Sequence, residues 1–192
     1  MKTRSSSAIL SSIDMIPRRR LLLTLGCGAA VLLGMGLWPA GPVPARASSV
    51  LAEDIASVRV EKAARRLLLL RHDGAILRVF DGIQLGDAPE GHKQFEGDER
   101  TPEGRYVIDH GNPASAFHLS LHISYPDARD RAFAESQGRS PGGQIFIHGQ
   151  PNWLGGGRIP GDWTDGCIAL SNAEIEELWA LVGDGTLIEI VP

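Results

Sequence analysis

Two short stretches decide the reading: Ile145-Phe146-Ile147-His148-Gly149, and Thr164-Asp165-Gly166-Cys167-Ile168-Ala169 after a glycine-rich spacer. The first is a short apolar run ending in histidine and glycine, the pattern of a buried strand closed by a turn. The second places a cysteine directly after a glycine, where the backbone approaches closely and consecutive amides are able to face one point. A free thiol has a pKa near about 8.5 and needs a base or a positive neighbour to act at neutral pH. Histidine is the usual partner. The spacer 149–163 is able to fold back and bring His148 to Cys167, so the pair reads as base and nucleophile, with Gly166 shaping an oxyanion pocket.

Cysteine usage supports this. The 192 residues hold two cysteines, Cys27 and Cys167. Cys27 lies in a leader-like segment: Arg18-Arg19-Arg20, an apolar run from Leu21 to Trp38, then Ala45-Arg46-Ala47 as a small-x-small cleavage site. Residues 1–47 are therefore expected to be an export signal and residues 48–54 a linker, with the folded domain over 55–192. Arg18-Arg19 followed by Arg20-Leu21-Leu22 fits a twin-arginine signal as well as a general secretory one, and both stay open. After cleavage Cys167 stands alone, and an unpaired thiol outside the cytoplasm is a liability unless it is buried or used. The expected location is the periplasm or cell envelope, without stable membrane insertion after cleavage.

Composition bounds the rest. With 43% hydrophobic and 22% charged residues the chain is globular rather than disordered. Residues 1–47 carry six basic groups and one acidic group; removing them from 19 and 23 leaves 13 and 22, a formal charge of -9 on the remainder. Such a surface repels phosphate backbones, which argues against nucleic-acid binding. The composition says nothing of oligomeric state.

The expected architecture is mainly β with two helices (α+β). Val58 and Val60 alternate with charged residues; Arg66–Arg71 and Ala75–Leu85 flank the turn His72-Asp73-Gly74 as a hairpin. Gly86–Gly104 is a long loop, and loops of that length are often functional. Tyr106-Val107-Ile108 is a strand. Phe117–Ser124 alternates, with His118, Ser120 and His122 on one face. Pro126–Gln137 is helical. Ser171 and Glu174 form a capping box for a helix whose Ile175, Leu178, Trp179 and Val182 share an apolar face, and Thr186–Val191 is the last strand. His118 and His122 lie roughly 13 Å apart on a strand, too far to share an ion, so no metal and no cofactor is expected.

The arrangement resembles the L,D-transpeptidase catalytic domain, also called the YkuD domain, whose members carry a histidine, a spacer and a Ser/Thr-His-Gly-Cys segment. His148, residues 149–163, and Thr164, Gly166 and Cys167 match it, as does the upstream Thr101-Pro102-Glu103-Gly104 with Tyr106. Gly97-Asp98, Ser120-Leu121-His122-Ile123-Ser124-Tyr125-Pro126 and Asp162-Trp163-Thr164-Asp165-Gly166-Cys167-Ile168-Ala169 are most similar to the YafK-like branch. The resemblance implies a β-sandwich or barrel and a thioester mechanism on peptidoglycan stem peptides. In it Cys167 and His148 are catalytic, a carbonyl near Gly149 orients the imidazole, and His122, Thr164, Asp165 and Gly149 are substrate contacts. It implies L,D-transpeptidation in wall biogenesis. The alternatives are a hydrolytic endopeptidase or amidase using the same chemistry, or a wall-binding module without activity. Two positions depart from the family pattern: Asp165 replaces a histidine, and Ala169 an arginine or asparagine. Arg139 and Arg158 either stand in for that arginine or are solvated surface residues.

Overall fold

The computed structural model describes residues 52–192; the expected signal at 1–47 and the first part of the linker lie outside the described residues. After a short 3-10 turn at Ala52–Asp54, eight strands and two helices follow: β1 (Ser57–Glu61), β2 (Arg66–Leu70), β3 (Ile76–Asp81), β4 (Gly104–Ser115), β5 (His118–Ile123), α1 (Ala128–Ser136), β6 (Ile145–His148), β7 (Ile168–Ala169), α2 (Asn172–Leu181) and β8 (Thr186–Val191). No helix among the described residues is long and apolar enough to cross a membrane.

All eight strands belong to one mixed sheet, in the order β3-β2-β1-β8-β4-β5-β6-β7. The last strand, β8, pairs parallel with β1 and antiparallel with β4, joining the N-terminal hairpin to the strands that carry the site. Its core alternation is read directly off the sequence: Ile188 and Ile190 are buried opposite Tyr106 and Gly104.

The stretch Ala75–Leu85 is not one strand. It breaks after Asp81 at Gly82, whose φ of +69° favours glycine. The chain then crosses to the other end of the sheet, where Gln84 and Ala169 exchange backbone hydrogen bonds of 2.9 and 2.8 Å. That bridge ties the segment leaving edge strand β3 to edge strand β7. It also leaves the short strand β7 without an open edge.

Helix α2 starts as read, and α1 starts at Ala128, two residues into the stretch read as helical. Asp127 caps α1 and Ser171 caps α2, each with a reciprocal capping box. Helix α2 buries Ile175 and Leu178, with Val182 just beyond it, in the main core. Its Trp179 ring lies where a Cβ on Gly111 of β4 would sit, 2.5 Å away, so that glycine is required by packing. Helix α1 buries only Ala134 and is tied at its edge by Tyr106 Oη donating to Asp130, 3.1 Å.

Candidate active site

Strands β6 and β7 are parallel neighbours, with Ile147 opposite Ile168 and His148 opposite Ala169. A parallel pair needs a long crossover, which residues 149–167 supply. His148 therefore ends one strand while Cys167 immediately precedes the next. The Phe146 N–H donates to Cys167 Sγ at 3.4 Å, and the thiol reaches Gln144 O at 3.6 Å. Both Cys167 and His148 line a cleft of about 1030 Å³ together with Lys93, Ser120, Trp163 and Asp165.

The imidazole is fixed on one side. His148 Nδ1 lies 2.6 Å from Gly149 O; a carbonyl only accepts, so Nδ1 carries the proton and Nε2 is the basic nitrogen. Phe117 and Trp163 pack against the ring at centroid distances of 4.7 and 5.7 Å. Burial lowers the His148 pKa against the opposing effect of the Gly149 bond, so the ring is neutral and able to accept a proton. Burial pushes the Cys167 thiol up to about 11, and the Asp165 charge adds to this, opposed by the Phe146 N–H and the Lys93 ammonium. The resting pair is thus thiol and neutral imidazole.

The segment before the nucleophile is a built turn. Thr164 Oγ1 donates to Cys167 O at 2.7 Å and accepts from Gly166 N at 3.2 Å. Gly166 has φ +126°, and a Cβ there would stand 2.5 Å from Arg100 O. The expectation for Gly166 is accordingly refined: its amide is held by Thr164, and its contribution is shape. Thr164 likewise lines the cleft while its hydroxyl is engaged inside the turn. The loop behind it is held by two buried amides. Gln150 donates to Gln84 Oε1 (3.1 Å) and Leu170 O (2.8 Å), and its own Oε1 accepts from Ile159 N (3.0 Å).

The other residues divide between the cleft wall and its surroundings. Gly149 is buried with its would-be Cβ position filled by Asn172, His118 and Ile175, so it orients the imidazole rather than lining the cleft. His122 is not among the cleft-lining residues. It packs on Phe146 at 4.9 Å, and its Nδ1 lies 2.6 Å from Asp109 Oδ1. Ala169 is fully buried in the Gln84 bridge and does not line the cleft. Neither arginine substitutes for the family cation. Arg139 stacks on Phe95 at 3.8 Å, and Arg158 is paired with Glu174 and Gly82 O. Asp165 is exposed at the cleft, with no hydrogen-bond partner among the described residues. Trp153 is 77% exposed, away from the cleft wall that Trp163 forms.

Lys93 was not legible in the sequence. Its side chain is only 3% exposed, pairs with Asp98 at 2.9 Å, and contributes positive charge to the thiol's surroundings. Asp98 in turn accepts from Gln94 N (2.7 Å), Phe95 N (2.9 Å) and Arg100 N (3.2 Å). The Gly86–Gly104 loop is thus ordered around one carboxylate and forms a wall of the cleft through Lys93, Glu96 and Glu99.

The model of the YkuD L,D-transpeptidase catalytic domain matches residues 56–190. The chain belongs to this family. A crystal structure of Pgp2, the helical cell shape determining protein of Campylobacter jejuni, is similar at 30% identity and a TM-score of 0.57. The match covers 71% of this chain and 47% of that one. Bd1075 of Bdellovibrio bacteriovorus shares the fold at 20% identity and a TM-score of 0.51, over 72% of this chain and 49% of its own. The chain thus spans about half the length of these solved structures. No curated protein matches it in sequence. The comparisons support the YkuD family and not specifically its YafK-like branch.

Proposed function

We propose that the chain is an exported cysteine L,D-transpeptidase that works on peptidoglycan stem peptides in the cell envelope and takes part in wall remodelling. The observation that carries this is that the fixed, neutral His148 and the half-buried Cys167 thiol line one cleft, within a domain of that family. In the first half-reaction Cys167 Sγ attacks the carbonyl following the third stem residue. The S–C bond forms, the C–N bond breaks, and the thiol proton passes to His148 Nε2 and on to the leaving amine. In the second, the amine of another stem attacks the thioester, and its proton returns through His148 to the thiolate.

The acceptor reading rests on charge. Glu96, Glu99 and Asp165 line the cleft, while Lys93, its buried cation, is already paired with Asp98. Such a rim concentrates ammonium groups of incoming stems more than it favours water. This supports transpeptidation over the hydrolytic endopeptidase reading, including one of the YafK-like type. The similarity to a cell-shape protein points the same way, toward editing of the wall.

Purified disaccharide-peptide fragments, incubated with the protein and resolved by mass spectrometry, test the assignment. Cross-linked dimers through the third residue are expected. Trimmed stems without dimers would replace transpeptidase by hydrolase, and unchanged fragments would remove the wall-cutting assignment.

A further inference from the structure

Strands β4 and β5 pair with Ile108 opposite Ile123 and His110 opposite His122, so the register slips at Asp109. In a regular strand, neighbours such as Asp109 and His110 point to opposite faces. A bulge removes that restriction by inserting one unpaired residue and re-aiming its side chain. Here both neighbours turn toward His122. Asp109 Oδ1 lies 2.6 Å from His122 Nδ1 and 2.9 Å from His110 Nδ1, and the imidazoles stack at 4.6 Å. One candidate ligand atom from each residue falls within 4.8 Å of the others.

We propose that Asp109, His110 and His122 form a binding site for a late first-row divalent ion, with Zn2+ the best fit. Two imidazole nitrogens and one carboxylate oxygen are the donor set such ions prefer over Mg2+ or Ca2+. Each Nδ1–H donates to the Asp109 carboxylate, so binding an ion through Nδ1 requires each neutral ring to shift its proton to the outer Nε2. His122 is largely buried and anchors the site, whereas Asp109 and His110 are exposed and leave outer coordination positions to water or a ligand. Three protein ligands with an open position is the pattern of a reactive or exchangeable site rather than a closed structural one. The site also abuts the cleft: His122 packs on Phe146, whose amide donates to the nucleophilic sulfur. An ion there would stiffen the bulge and the strand that carries Phe146.

Calorimetric titration of the tag-free full chain with ZnCl2 near neutral pH tests the site, with Co2+ absorption as a second readout. One ion per chain is expected. His110→Ala and Asp109→Asn, each at an exposed position, should weaken it at least about 100-fold, while Cys167→Ser should bind as the parent does. Parent affinity no greater than that of His110→Ala would overturn the proposal. So would binding that survives both bulge substitutions and disappears in Cys167→Ser, because the ion would then sit on the thiol.

Discussion

At the scale of single residues, the site holds its nucleophile in reserve. A thiol raised to about 11 is almost wholly protonated at neutral pH, so attack requires a base rather than a standing thiolate. His148 meets this need because burial keeps it neutral and the Gly149 carbonyl holds its proton on Nδ1. The sign of the pH dependence follows. Alkylation of Cys167 by iodoacetamide should keep rising from pH 7 through pH 10, without a plateau below pH 8. His148→Gln should slow it several-fold at pH 7 and leave the alkaline limit near the parent's. A profile that saturates below pH 8 in the parent would show a preformed thiolate instead. That Cys167 and His148 meet at one cleft was legible in the sequence because they stand in a chemical pattern. Lys93 was not, since nothing local marks a lysine that will be buried by a loop folding over it. His122 misled because alternation along one strand shows its face but not the neighbours across the ladder. Its partners come from a bulge on the adjacent strand.

Among the elements, those with a strong period were read well and those shaped by tertiary contact were not. The Ser171–Glu174 capping box and the closing strand Thr186–Val191 fall where the sequence puts them. Strand β4 runs on to Ser115, well past the Tyr106-Val107-Ile108 stretch read as a strand. Trp179 against Gly111 and the β5 ladder hold this extension. Strand β7 has only two residues, too short for any pattern, and exists because β6 and Gln84 flank it. The loop Gly86–Gly104 lacks regular structure yet has a hub in Asp98. Burial alone would raise the Asp98 pKa, but three backbone N–H groups and the Lys93 ammonium hold it below the usual carboxylate range. Its stabilising contribution is therefore present above the unfolded carboxylate pKa and is lost as pH falls through the lowered folded value. Asp98→Ala strands the nearly buried Lys93 without its counter-charge, a change that costs about 3 kcal/mol. Thermal unfolding monitored by circular dichroism should show a marked drop in Tm, and activity should fall more than Tm alone explains, because Lys93, Glu96 and Glu99 line the cleft. An unchanged Tm and rate would mean that the loop is ordered by other contacts.

The described domain is built on one eight-stranded sheet that sets two strand ends, His148 and the residue before β7, at the same cleft. The sequence indicates mainly β structure with two helices, but not whether it forms one sheet or two. That depends on β8, which pairs with β1 on one side and β4 on the other, a long-range pairing with no side-chain signature. Export belongs to this scale as well. Cleavage after Ala47 is expected, and Edman sequencing of the protein recovered from the envelope should begin at Ser48; a chain still starting at Met1 would mean that the leader is kept. The central claim, that Cys167 carries an acyl group taken from a wall stem peptide, is tested most directly by intact-protein mass spectrometry after rapid acid quench with tetrapeptide-bearing wall fragments. The parent should gain the mass of the acyl donor minus its leaving amino acid, located on the Cys167 peptide, and Cys167→Ala should gain nothing and release no amino acid. Release of the fourth residue by Cys167→Ala at the parent's rate would contradict the account.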